Sequence, residues 1–212
     1  EFDWGIEKIL QYFDGIEENG EANFPLLNAN IYSVDDDSLL TVDNGNVLES
    51  YVVEREGVEV GIISYIGNVY KSIAYDKVRE YYFDLNIAYS VEKVASNLKK
   101  EGVDFIIVNI HGGSSNVYNY EYNQELADLK DKNGNYLVDV VINGHTHSKT
   151  MGQISRSGAT SMPVIQAGEY GNYLGRITLD LDLIDMKVTS FEMEHLSVSY
   201  AGTKHDETVQ AI

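Results

Sequence analysis

The sequence predicts an α/β fold, and three patterns carry the prediction. Val103 to Ile110 (VDFIIVNI) and Val138 to Ile142 are apolar runs of the kind that form strands buried on both faces. A helix fits about residues 121–131 between them and is stopped at Asn133-Gly134. The two strands of such a strand–helix–strand unit should lie parallel and close. After His147 the pattern turns to strands, at about 151–156, 162–167, 174–182 and 187–196.

The earlier elements follow from spacing. Trp4, Ile6, Ile9, Leu10, Phe13 and Ile16 recur at helical intervals, predicting an amphipathic helix over about 4–18 that stops near Asn19-Gly20. Phe24 to Tyr32 reads as a strand, and Asp35 to Asp37 and Asp43-Asn44-Gly45 are turn chemistry. Val47 to Arg55 and Val58 to Tyr65 flank Glu56-Gly57 as a hairpin. The tyrosine-rich stretch 70–85 is ambiguous. Ile87, Val91, Val94, Ala95 and Leu98 form a second helical stripe, with Gly102 where a C-terminal cap belongs.

Composition narrows the function. With 34 acidic against 15 basic residues, the net charge is −19. That field argues against nucleic acid or an anionic membrane as partner, and an anionic substrate would need a local cation such as a metal ion. There is no cysteine, hence no disulfide or thiolate site. No apolar run reaches membrane-spanning length, and no signal peptide is visible.

The candidate chemistry lies in three of the five histidines. His111 follows one central strand and is trailed by Gly112-Gly113; His145 and His147 follow the next, in Gly-His-Thr-His. Both groups should therefore reach the carboxyl edge of a parallel sheet, where open α/β sheets place ligands. In extended backbone His145 and His147 would point the same way, about 7 Å apart, a spacing from which each can reach one ion of a pair about 3.5–4 Å apart. A lone histidine after a strand is more often a loop residue than a ligand; the matching placement of His111 tips the balance toward metal. His195 and His205 lack such context and read as surface or tail residues, and the DKNGN stretch at 131–135 reads as a helix stop and turn rather than a calcium loop.

Five stretches carry a resemblance: EFDWG at 1–5, PLLNANI at 25–31, VGIISYIG at 60–67, NIHGG at 109–113 with VINGHTH at 141–147, and VIQAGEYGNYLGRI at 164–177. In this order they resemble the metallophosphoesterase domain of the 5′-nucleotidase and UDP-sugar hydrolase branch of the calcineurin-like superfamily. The resemblance implies a sandwich of two mixed β-sheets flanked by helices, and hydrolysis of nucleotide phosphate esters with two divalent ions of the zinc, manganese or iron type. It implies that His111 and His145 ligate one metal and His147 the other, and an extracellular, cell-surface or periplasmic location.

The sequence also departs from that family. Its Asp-x-His, Gly-Asp and Gly-Asn-His motifs, with the bridging Asp and the catalytic His, would precede Glu1, which resembles the end of the third. Residues 1–198 are thus expected to be a partial catalytic domain lacking its N-terminal strands, and 199–212 a tail or the start of a linker to a C-terminal domain. No residue here takes a catalytic role beyond metal binding, and one ion or none is expected to bind. The expected partners are a phosphate-ester substrate, the N-terminal segment and the C-terminal domain of the same protein. The alternative is a non-catalytic binding or structural module with a degenerate metal site.

Overall fold

The computed structural model describes residues 2–16, 22–42 and 45–198. Glu1, the expected helix stop at Asn19-Gly20, the turn residues Asp43-Asn44, His205 and the expected tail lie outside the described residues.

The fold is α/β, built on one six-stranded mixed sheet. The strands are β1 (Leu26–Leu27), β2 (Ile31–Ser33), β3 (Val47–Leu48), β4 (Ser50–Arg55), β5 (Val58–Ile66), β6 (Tyr81–Phe83), β7 (Phe105–His111), β8 (Val140–Asn143), β9 (Lys149–Arg156), β10 (Ala159–Ala167), β11 (Tyr173–Asp182) and β12 (Lys187–Ser197). The helices are α1 (Ile6–Leu10), α2 (Ile87–Glu101) and α3 (Glu121–Asp128). The main sheet runs β4-β5-β7-β8-β10-β9; β5, β7, β8 and β10 are parallel, and the outer pairs are antiparallel. Three two-stranded sheets pair β1 with β3, β2 with β6, and β11 with β12.

Local sequence explains the parts that hold the site. Glu56 and Gly57 have φ of 54° and 84°, the two left-handed residues that a tight β4–β5 turn demands. Asn86 caps α2 by accepting the Tyr89 N–H, and Gly102 ends it at φ 102°. The α2 stripe of Ile87, Val91, Val94, Ala95 and Leu98 is buried against Ile63, Ile106 and Val108 of the sheet, and Leu126 and Ala127 of α3 join the same core.

Several expectations are corrected. The helix predicted over 4–18 is a single 3₁₀ turn at Phe2–Trp4 followed by the short α1, with turns and bends over 11–15; residues 17 and 18 lie outside the described residues. The strand predicted over 24–32 is broken, because the buried Asn28 turns the chain on itself: its Nδ2 donates to the carbonyls of Ile31 and Leu40, and its Oδ1 accepts the N–H groups of Asn30 and Ile31. β7 is not buried on both faces. Ile106, Val108 and Ile110 are buried in the core with the helices, while Ile107, Asn109 and His111 lie half-buried on the other face. His195 is not a surface residue; it lies on β12, partly buried, with Nε2 2.9 Å from the Gln166 carbonyl oxygen.

Candidate metal centre

The register sets the site. Ile66 of β5 is the neighbour of His111, and Ile110 is the neighbour of Asn143, so β5, β7 and β8 end together. The loops beyond are tied across the same edge: Gly67 N–H donates to the His111 carbonyl at 3.1 Å, and Gly144 N–H to the Gly112 carbonyl at 3.0 Å. Two glycines are required by close approach. A Cβ on Gly112 would lie 2.1 Å from the Tyr120 hydroxyl, and one on Gly113 2.5 Å from Gln166 Oε1.

This edge brings two of the three predicted histidines into contact. His145 Nδ1 stands 3.2 Å from His111 Nε2, with the rings at 73° and their centroids 5.0 Å apart. Two nitrogens each about 2.0–2.1 Å from a zinc-class ion stand about 3.3 Å apart at a tetrahedral angle. The observed spacing fits two ligands of one ion. It is not a full coordination shell: among the described residues no three of His, Cys, Asp or Glu gather as a metal-binding group.

His147 is placed differently from expectation. The backbone is not extended here; His145 and His147 have φ of 67° and 56°, both left-handed. Thr146 between them is held by the buried Gln166, whose Nε2 donates to Thr146 Oγ1 at 2.7 Å. His147 Nδ1 lies 2.9 Å from Glu169 Oε2, and its ring meets Tyr170 edge-on at 5.5 Å. The QAGEYGN stretch thus walls the histidine loop.

Asn109, two residues before His111 and on the same face, is a residue that sequence reasoning passed over. Its Oδ1 is buried with no hydrogen-bond partner among the described residues. It lines a groove of about 860 Å³ over the open sheet face, between Ile62, Ser64 and Ile142 on one side and Phe2, Ile9 and Tyr12 on the other, with His111 and Gly144 at one end. Burial pushes the Tyr120 hydroxyl behind the site far above its ordinary range, with help from the nearby Tyr122 and Glu121.

A family model described as calcineurin-like phosphoesterase matches residues 8–149, which include His111, His145 and His147. The chain belongs to the calcineurin-like phosphoesterase family. An apyrase from Tabanus yao is 28% identical over 196 residues, covering 84% of this chain and 31% of the apyrase. Among solved structures, the sulfate thiohydrolase SoxB of Thermus thermophilus superposes with a TM-score of 0.74 at 17% identity, over 100% of this chain and 34% of SoxB. The NAD nucleotidase of Haemophilus influenzae superposes with a TM-score of 0.65 at 17% identity, over 93% of this chain and 38% of that one. This calcineurin-like phosphoesterase therefore spans about a third of the length of these relatives. Their fold agrees with the metallophosphoesterase fold that the resemblance implied.

Proposed function

We propose that this chain is part of the catalytic domain of a metal-dependent phosphoesterase that hydrolyses phosphate esters of nucleotides, as a 5′-nucleotidase does. In this reading residues 1–198 belong to that domain, and 199–212 are a tail or the start of a linker to a C-terminal domain. In this reading His111 and His145 hold one divalent ion of the zinc, manganese or iron class, and His147 holds a second. The observation that carries it is the 3.2 Å approach of two imidazole nitrogens at the carboxyl edge of the sheet. Bound ions of this kind supply hydroxide near neutral pH and neutralise charge on the phosphoryl oxygens. The residues themselves hold and orient. Thr146 and Gln166 set the direction of the Gly-His-Thr-His loop, and Asn109 lines the groove beside His111. A net charge of −19 repels an anionic ester, so attraction to this site has to come from the metal.

The remaining ligands and the nucleotide-gripping surface would come from segments upstream and downstream in the same protein, at an extracellular, cell-surface or periplasmic location. Among the described residues no helix is long and apolar enough to cross a membrane. A second reading, a non-catalytic binding module, is favoured by the absence of a group of three ligand side chains among the described residues. The test is phosphate release from AMP and from a generic phosphate ester with added Mn²⁺ or Zn²⁺. The chain is run beside a version extended upstream through Asp-x-His, Gly-Asp and Gly-Asn-His motifs. Activity in the extended version, lost on replacing His111 or His145, supports the enzyme; inactivity of both chains favours the module.

A further inference from the structure

We propose that Glu169 is a positioning residue for His147: its carboxylate takes the proton on Nδ1 as a hydrogen bond and so presents the unprotonated Nε2 outward as the ligand atom. The proposal rests on the reading of His147 as a metal ligand and assigns a role to a residue outside the three histidines.

The geometry is specific. Glu169 Oε2 is 2.9 Å from Nδ1, the ring nitrogen nearer the backbone, which leaves Nε2 as the nitrogen that can reach an ion. The carboxylate is held in place by its loop. Gly168, Tyr170 and Gly171 have φ of 82°, 53° and 67°, a run of left-handed residues that turns the chain sharply between β10 and β11. Gly168 N–H donates to the Ser148 carbonyl at 3.1 Å, which ties this loop to the residue after His147. Asn172 N–H donates to the Glu169 carbonyl at 3.0 Å, and Val198 N–H to the Asn172 carbonyl at 2.9 Å, which anchors the far side. Tyr170 then stands against the same imidazole, 5.5 Å between centroids, limiting its rotation.

A stability role explains this poorly. The His147 and Glu169 side chains are 56% and 44% exposed, and exposed ion pairs add little to folding. Fixing a tautomer and a ring direction is what a carboxylate behind a metal-ligating histidine does, and removing such a group weakens metal binding about 10–100-fold.

The test uses the full chain labelled with ¹⁵N-histidine, with the His147 signals assigned by their loss in His147→Gln. In the metal-free wild type, two-bond ¹H–¹⁵N correlation spectra should show neutral His147 protonated at Nδ1. Glu169→Ala should move His147 toward the Nε2-protonated form, while Glu169→Gln, which keeps an acceptor oxygen, should hold the wild-type tautomer. Titration with Zn²⁺ should then perturb His147 with an affinity about tenfold weaker in Glu169→Ala and closer to wild type in Glu169→Gln. An Nε2-protonated His147 in the wild type overturns the proposal, as does a Glu169→Ala variant whose tautomer and Zn²⁺ response both match the wild type. The two readings fail apart. No Zn²⁺ response at His111, His145 or His147, in this chain and in the version extended upstream through the Asp-x-His, Gly-Asp and Gly-Asn-His motifs, overturns the metal centre. A Zn²⁺ response at His147 that is identical with and without the carboxylate overturns the role of Glu169 alone.

Discussion

The buried carboxamide of Asn30 grips both backbone groups of Ile66: its Nδ2 donates to the Ile66 carbonyl at 2.9 Å, and its Oδ1 accepts the Ile66 N–H at 3.0 Å. The same Nδ2 donates to the Asp84 carbonyl at 2.9 Å. Ile66 is the β5 residue beside His111, so one side chain joins the N-terminal segment, the end of β6 and the sheet edge that carries the site.

Asn30→Ala should therefore destabilise the chain by about 2 kcal/mol, because it takes the carboxamide from both buried backbone groups of Ile66, while the Asp84 carbonyl keeps the Tyr65 hydroxyl as donor. Urea unfolding of the two chains gives the difference directly. A change below about 0.5 kcal/mol would mean that solvent reaches this junction and replaces the lost bonds.

On the proposed reading, replacing either His111 or His145 by Ala should weaken binding of the tightest Zn²⁺ or Mn²⁺ ion at least tenfold, since each would remove one of two ligands sharing that ion. The double variant should be little weaker than either single one, because one remaining imidazole holds an ion poorly. Calorimetric titration of the dialysed chain checks this. Equal affinity in wild type and double variant would place the ion elsewhere.

Gly112→Ala should cost about 2 kcal/mol, the usual penalty for forcing an atom into filled space. The Cβ would lie 2.1 Å from the Tyr120 hydroxyl oxygen and 3.1 Å from Tyr120 Cζ. Tyr120→Phe removes the first clash and leaves the second, so in that background the cost of Gly112→Ala should fall by about half. A double-mutant cycle by thermal or urea unfolding reads the coupling. Strict additivity would show that Gly112 is needed for its backbone and not for the room it leaves.

The loop at 131–135 carries a pH dependence with a definite sign. Hydrogen bonds from Asn135, by side chain and backbone, and from the Asn133 N–H hold the Asp131 carboxyl below its ordinary value. A carboxylate whose folded pKa is depressed contributes stability above its unfolded pKa and loses it as the pH falls through the folded one. The amides of Asn133 and Asn135 should therefore begin to lose exchange protection only as the pH drops below about 4, the ordinary Asp range. In Asp131→Ala they should show low protection at every pH. Protection that falls instead between pH 5 and 6 would assign the effect to another group.

The sequence by itself determined the local periods and the residues that punctuate them. α2 is legible because its apolar stripe repeats at the helical interval and stops at Gly102, whose own backbone ends the helix; at the other end Asn86 caps it with its own side chain. The β4–β5 turn, the strand–helix–strand unit and the parallel β7–β8 pair are legible for the same reason: the information sits within a few residues. The Gly-His-Thr-His and His-Gly-Gly motifs marked the site edge because their glycines and histidines adjoin the strand ends that carry them.

Only the tertiary structure decided the rest. The strand predicted across Phe24 to Tyr32 broke at Asn28, because buried carboxamides bond to carbonyls as distant as Leu40 and Ile66, and no local pattern encodes such partners. The extended backbone expected at His145 and His147 gave way to two left-handed residues, with Thr146 between them held by Gln166 from a strand twenty positions away. Glu169 and Tyr170 reach His147 for the same reason. Periodicity reports which face a residue prefers, whereas the direction of a histidine ring is set by whatever the chain returns to place beside it.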